Sequence, residues 1–164
     1  MSLLRFIFAC SLLLLSMTSE AETAYTVSNV YDGDTVELKH ADGKLKLRLT
    51  DIDAPERNQA YGQKARRALI KLCKGSHISI SVELTGKDKY DRHLGSLQCN
   101  QTDASLYLAQ NGYAWYNEKY SDNVAIKNAA AAARKDGIGL WSAENPVPPW
   151  AWRRLHQNAY PSAR

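Results

Sequence analysis

After Asp42-Gly43 the chain reads Lys44-Leu45-Lys46-Leu47-Arg48-Leu49-Thr50, polar and apolar in strict alternation. Successive side chains of a strand point to opposite faces, so this stretch buries its three leucines together only as a strand with one dry face. A helix would scatter the same leucines around its circumference. Asp42-Gly43 is a favoured hairpin turn, and Val36 and Leu38 ahead of it alternate with charged neighbours. Val27 to His40 is therefore expected as a strand pair interrupted at Asp32-Gly33-Asp34. Ile78, Ile80, Val82 and Leu84 repeat the period of two, and Arg92 to Gln98 is expected as a further strand.

The period changes elsewhere. From Gln63 to Lys74, Ala65, Leu69 and Leu72 or Cys73 fall on one side of a helix that Gly75 stops. Thr102 or Asp103 can cap a short helix to Gln110, ended by Gly112, and Ser121 or Asp122 starts an alanine-rich helix to Lys135, closed by Gly137. The tail, with Pro146, Pro148, Pro149, Trp150 and Trp152, is expected as an extended segment on the surface. About five short strands, mostly ahead of the last two helices, imply an α+β domain built on a small antiparallel barrel. No strand–helix alternation suggests a parallel sheet. At 164 residues, with 45% hydrophobic and 23% charged residues, the chain matches one ordinary globular domain and excludes a disordered chain, a collagen repeat or a coiled coil. The net charge of +4 permits a polyanionic partner without requiring one.

The first twenty-one residues are expected to be a signal peptide. Arg5 precedes the apolar stretch Phe6 to Leu15, and Ser19-Glu20-Ala21 has the small-x-small form of a cleavage site. The apolar run is about half the ~20 residues of a membrane-spanning helix. Export, to the periplasm or beyond the cell, follows, with no stable membrane association after cleavage. Of the three cysteines, Cys10 lies in the leader, leaving Cys73 and Cys99. In an oxidising compartment they are candidates for a disulfide; two separate buried thiols are the alternative. Two cysteines and four scattered histidines show no zinc spacing.

Three polar clusters remain: Tyr31-Asp32-Gly33-Asp34-Thr35, Arg48 through Asp53-Ala54-Pro55-Glu56, and Asp88-Lys89-Tyr90-Asp91-Arg92. Each alone has a plain explanation. Asp-Gly is a turn pair, Arg48 is an exposed strand charge, and carboxylates are common where a strand ends at a proline. The glycine position and the absence of flanking helices exclude a helix–loop–helix calcium loop.

Taken together and in order, the clusters resemble the staphylococcal-nuclease-like (thermonuclease) family. Its pattern is an aspartate turn, an arginine strand ending in Asp-x-Pro-Glu, and a later Asp-x-Tyr-x-Arg. The resemblance runs from about Val27 to Trp141 and includes Asn111-Gly112-Tyr113-Ala114 and Gly139-Leu140-Trp141-Ser142. It implies an OB-type five-stranded antiparallel β-barrel with three packed helices over residues 22–145. The Pro/Trp-rich tail, 146–164, lies beyond it.

The family hydrolyses phosphodiester bonds of DNA and RNA with calcium. By motif position the resemblance makes Asp34 and Asp53 the calcium carboxylates, with the main-chain carbonyl of Ala54 as a third ligand. Hard oxygen donors suit that ion. It makes Glu56 the general base and Arg48 and Arg92 the phosphate-holding arginines. Lys89, Tyr90, Tyr120 and Tyr113 become substrate-binding residues, Tyr113 having core packing as its plainer role. A threonine of the best-known member is Ala54 here, and a glycine is Asp91, whose charge can pair with Arg92 or repel a phosphate. The resulting expectation is an exported, monomeric, calcium-dependent endonuclease of low sequence specificity that leaves 3′-phosphates. The rivals are a non-catalytic nucleic-acid-binding OB module, which needs neither Glu56 nor the metal carboxylates, and a metal-free structural domain.

Overall fold

A computed structural model describes residues 25–156; residues 1–24, on which the expected signal peptide falls, and 157–164 lie outside the described residues. Alternation builds the centre of the fold. Strands β1 (Thr26–Val30), β2 (Thr35–His40) and β3 (Gly43–Leu49) form an antiparallel meander, and β1 slips register between Val27 and Asn29. Leu47 and Leu49 are buried on one face of β3 while Lys44 and Lys46 are exposed on the other. His40 pairs with Gly43, so the two-residue turn is Ala41-Asp42, one position earlier than the Asp-Gly pair suggests.

Beyond the two-residue strand β4 (Ile52–Asp53), helix α1 (Gly62–Cys73) buries Ala65, Ala68, Leu69 and Cys73, a three- and four-residue spacing. Strands β5 (Ile80–Lys87) and β6 (His93–Cys99) form the second hairpin, and the short β7 (Thr102–Asp103) lies against β6. Asp103 caps helix α2 (Ala104–Gln110) by accepting from the Leu106 amide at 2.9 Å. Strand β8 (Trp115–Tyr116) pairs with β4, and helix α3 (Val124–Lys135) follows. The α3 cap is Asn123, which accepts from the Ala125 and Ile126 amides; Ser121 instead donates to Asp51, and its hydroxyl oxygen accepts from the Asn123 amide.

The expected antiparallel five-stranded barrel with three helices needs three corrections. The sheet order is β1-β2-β3-β6-β5 with β7 appended, and β3 pairs with β6 in parallel. Alternation reveals which face a side chain takes but not which way the neighbouring strand runs. The long connection through α1 and β5 returns the chain to the same end of the sheet, as a parallel pair requires. Second, the edge strands β1 and β5 do not pair with each other, so the six-stranded sheet is open rather than a closed barrel. Third, the tail is not extended throughout: Pro149–Leu155 forms a fourth helix, α4. Pro148 is extended and Pro149 takes the first helical position, where a missing N–H costs nothing.

Val30, Val36, Leu38, Leu47, Leu49, Ile52, Leu69, Leu97 and Leu108 are all essentially sealed from solvent and form one core between sheet and helices. Cys73 and Cys99 are joined, with Cα atoms 5.2 Å apart, tying the end of α1 to the end of β6. Closing this loop stabilises the fold by about 3.5 kcal/mol in the chain-entropy model. No helix among the described residues is long and apolar enough to cross a membrane.

Candidate active site

Two segments far apart in sequence meet at one end of the sheet. In the turn ahead of β2, the Asp34 amide donates to Asp32 Oδ1 at 3.0 Å, and the Tyr31 amide closes the turn on the Thr35 carbonyl at 2.8 Å. Gly33 lets this turn lie on the other segment: a Cβ there would stand 2.6 Å from the Ala54 Cβ and 2.7 Å from the Ala65 Cβ. Asp34 is consequently buried, and its Oδ2 accepts from the Ala54 amide at 2.7 Å while its Oδ1 accepts from Thr35 Oγ1 at 3.0 Å.

Arg48 pairs across the sheet with Thr35, which brings its side chain beside Asp34. One guanidinium nitrogen makes an ion pair with Asp34, and Nη2 donates to Asp53 Oδ1 at 2.9 Å. Asp53, itself buried, is held by the pairing of β4 with Trp115 on β8. Burial opposes charge on Arg48, but Asp34, Asp53 and Asp32 outweigh it and raise its pKa, so it stays a cation. Pro55 then turns the chain out of β4 to Glu56, whose amide donates to Gln59 Oε1 at 3.1 Å. Asp34, Arg48, Asp53, Ala54 and Glu56 thus gather in one place.

Arg92 does not join them. Its Nε and Nη2 both engage Asp88 Oδ2, at 2.8 and 2.7 Å, and it makes no ion pair with Asp34, Asp53 or Glu56 among the described residues. It sits two residues before Leu94, the partner of Arg48 across β3 and β6, and so borders the cluster. Asp91 adopts φ 59°, a left-handed conformation that aspartate tolerates, and its carboxylate accepts from Lys87 at 2.7 Å rather than pairing with Arg92. Lys89 and Tyr90 occupy the same β5–β6 turn, Tyr90 half exposed with the Lys89 ammonium 5.0 Å from its ring centroid. Tyr120 is 72% exposed on the loop before α3, whereas Tyr113 is partly buried against the core.

Two functional candidates escaped the sequence reading. Asp32, in the same turn as Asp34, has a carboxyl pushed up to about 7, first by burial and then by the neighbouring Asp34 charge. The Asp-x-Asp repeat was the signal for it. Arg153, on α4, reaches the cluster from the tail: Nη2 donates to Asp53 Oδ2 at 2.7 Å, and Nη1 donates to Glu56 Oε1 at 2.9 Å and to Asp53 Oδ1 at 3.2 Å. Nothing in the proline-rich sequence around it signals this contact.

Asp34 and Asp53 are oxygen donors of the kind a hard divalent cation takes, but no group of three or more histidine, cysteine, aspartate or glutamate side chains placed to hold a metal occurs among the described residues. Asp34 and Asp53 offer carboxylate oxygens close enough together to share the Arg48 guanidinium, and Asp32 adjoins Asp34. A metal there would share Asp53 with two guanidinium groups.

Comparison with known proteins agrees with this geometry. Residues 46–143, well over half of the chain, match the family model described as staphylococcal nuclease homologue. A Haemophilus influenzae protein named an uncharacterized endonuclease is 36% identical over 141 residues, covering 85% of this chain and 78% of that protein. A Shigella flexneri micrococcal nuclease is 31% identical over 167 residues, covering 95% of each chain. A rice protein, probable staphylococcal-like nuclease CAN2, is 32% identical over 143 residues; the alignment covers 87% of this chain but only 37% of that longer protein.

Proposed function

The chain belongs to the family of staphylococcal nuclease homologues and is a nuclease, and on that footing we propose that it is an exported, calcium-dependent endonuclease. It hydrolyses phosphodiester bonds of DNA and RNA with little sequence preference, leaving 3′-phosphate ends, and works as a monomer free of the membrane. The observation that carries this reading is the buried Arg48 guanidinium bound to both Asp34 and Asp53, with Glu56 three residues farther along. A non-catalytic binding module has no use for that combination. Export is supported by the Cys73–Cys99 bond, since disulfides persist in oxidising compartments.

Asp34, Asp53 and the Ala54 carbonyl would hold the calcium ion, which when bound supplies positive charge against the phosphate oxygens. Glu56 accepts a proton from the attacking water, whose oxygen forms the new bond to phosphorus. The P–O5′ bond breaks, the phosphate stays on the 3′ oxygen, the departing 5′ oxygen takes a proton from solvent, and Glu56 returns to solvent the proton it accepted. Arg48, whose terminal nitrogens are engaged by Asp34 and Asp53, presents its planar fork to the phosphate oxygens only after exchanging those carboxylates for the substrate, and Arg92 presents a second fork as negative charge grows there. Arg92 does this after exchanging Asp88 for the substrate. Lys89, Tyr90 and Tyr120 border the flanking nucleotide, and a base stacks on an exposed tyrosine whatever its identity, which suits low specificity.

Cleavage of single-stranded DNA by the mature protein, in calcium and in excess chelator, with Glu56→Gln alongside, tests the reading. Calcium-requiring cleavage that collapses in the variant is expected. Binding without cleavage under every condition would transfer the protein to the binding-module class.

A further inference from the structure

The C-terminal segment is anchored before it reaches the site. Gln59 is buried and uses both ends of its amide: Oε1 accepts from the Glu56 amide at 3.1 Å and Nε2 donates to the Val147 carbonyl at 2.6 Å. The loop carrying Glu56 and the strap leading into α4 are therefore tied through one side chain. Trp115, whose strand holds Asp53, lies edge-on between Trp141 and Trp150, with ring centroids 4.3 and 5.5 Å away. These contacts fix where α4 begins. Its first residue, Pro149, is buried, and one turn on, Arg153 faces Asp53 and Glu56.

The Arg153 contacts are selective. Its guanidinium takes both oxygens of Asp53 and one oxygen of Glu56, while Glu56 Oε2 has no hydrogen-bond or ion-pair partner among the described residues. A planar fork bridging two carboxylates fixes their relative orientation, which a single ammonium would not. Glu56 also sits in an irregular loop, where nothing else described restrains its carboxylate. Its charge balance points the same way: Asp32, Asp34, Asp53 and Glu56 crowd the site, and Arg48 alone reaches only the first three of them.

We propose that Arg153 is a positioning residue of the nuclease site, supplied by the C-terminal helix, that holds Glu56 Oε1 against Asp53 and leaves Oε2 directed at the attacking water. This inference rests on the nuclease reading. It makes the tail beyond the family match a working part of the enzyme, and it gives Gln59 and the tryptophan cluster the task of seating that arginine.

The test is single-turnover cleavage of a single-stranded oligonucleotide in calcium by wild type, Arg153→Ala, Arg153→Lys, Glu56→Gln and the Arg153→Ala/Glu56→Gln double variant. Misplacing a reacting group by about 1 Å costs up to ~100-fold, so Arg153→Ala should lower the cleavage rate about 10- to 100-fold. The substrate concentration for half-maximal rate should change less than about threefold, because uniform substrate binding is not what is lost. Arg153→Lys should recover part of the rate. In the Glu56→Gln background, Arg153→Ala should have no further effect, which a general loss of structure would not reproduce. Circular-dichroism urea midpoints identify any variant that is merely unfolded, and Arg153→Met, which keeps the packing of the alkyl stem, then replaces Arg153→Ala. A rate in Arg153→Ala equal to or above wild type would overturn the proposal and make the guanidinium a plug. Rate losses that simply multiply in the double variant would overturn it as well. An inactive wild type would instead remove the nuclease reading, and this inference with it.

Discussion

Arg48 and Arg92 carry the same charge into different surroundings. Arg48 is enclosed by carboxylates, whereas Arg92 is parked on Asp88 at the rim, under the face of Tyr90 at 5.6 Å. Arg92→Lys keeps the charge but not the fork, and removing one fixed donor of this kind costs about 10²–10³ in kcat. The expected result is that loss in turnover with an unchanged circular-dichroism melting curve; near wild-type turnover would take Arg92 out of the reaction. Asp32 makes a prediction of the opposite kind, about stability. Its carboxyl is raised from 3.8 to about 7 in the folded protein, by burial first and Asp34 second. The stability this proton provides is complete below 3.8 and fades as pH rises through about 7, because only the folded state keeps the proton in that window. Asp32→Asn cannot lose a proton, so in calcium-free buffer its urea midpoint relative to wild type should improve between about pH 5 and pH 8. An equal difference at both pH values would show that Asp32 titrates normally.

At the scale of elements, the site depends on how closely the Asp32-Gly33-Asp34 turn approaches Ala54 and α1. Gly33→Ala inserts a methyl where two others already stand, 2.6 and 2.7 Å away. Overpacking of this kind costs about 1–3 kcal/mol, and here the turn must lift to relieve it. A lower urea midpoint together with weakened calcium binding by calorimetry is expected; lost stability with intact binding would mean that the turn yields elsewhere. The β2–β3 hairpin and the buried face of α1 were legible because a period of two or of three and four survives in the residue types themselves. Strands β4 and β8, two residues each, are too short for any period to register. The parallel β3–β6 pairing is invisible for another reason: the leucines of β3 declare a face and nothing about direction. Helix α4 was hidden by Pro146, Pro148 and Pro149, which read as extended until one sees that the last of them opens the helix.

For the molecule as a whole, a calcium ion held at Asp34 and Asp53 would make stability depend on the ion's concentration. Calcium at about one hundred times its dissociation constant should stabilise the protein by roughly 2.7 kcal/mol, and chelator should reverse it. The check is the melting temperature with and without calcium, and an unchanged value would argue against a metal at Asp34 and Asp53. Asp34, Arg48, Asp53, Ala54 and Glu56 are legible through the resemblance that three ordered clusters carry, each cluster alone reading as a turn or a strand charge, and the structure brings these five together. Arg153 is not legible even so, because its place depends on Gln59 and on three aromatic rings contributed by separate parts of the chain.

The tryptophans have a practical consequence of their own. All four of them, Trp115, Trp141, Trp150 and Trp152, stand at the junction between the sheet domain and the C-terminal strap, and none lies in the leucine core. Intrinsic fluorescence therefore watches the strap dock, while far-ultraviolet circular dichroism watches the sheet and helices. If the strap peels away first, the emission change will precede the ellipticity change on a urea axis. The separation between the two curves would then measure how firmly Arg153 is kept in place.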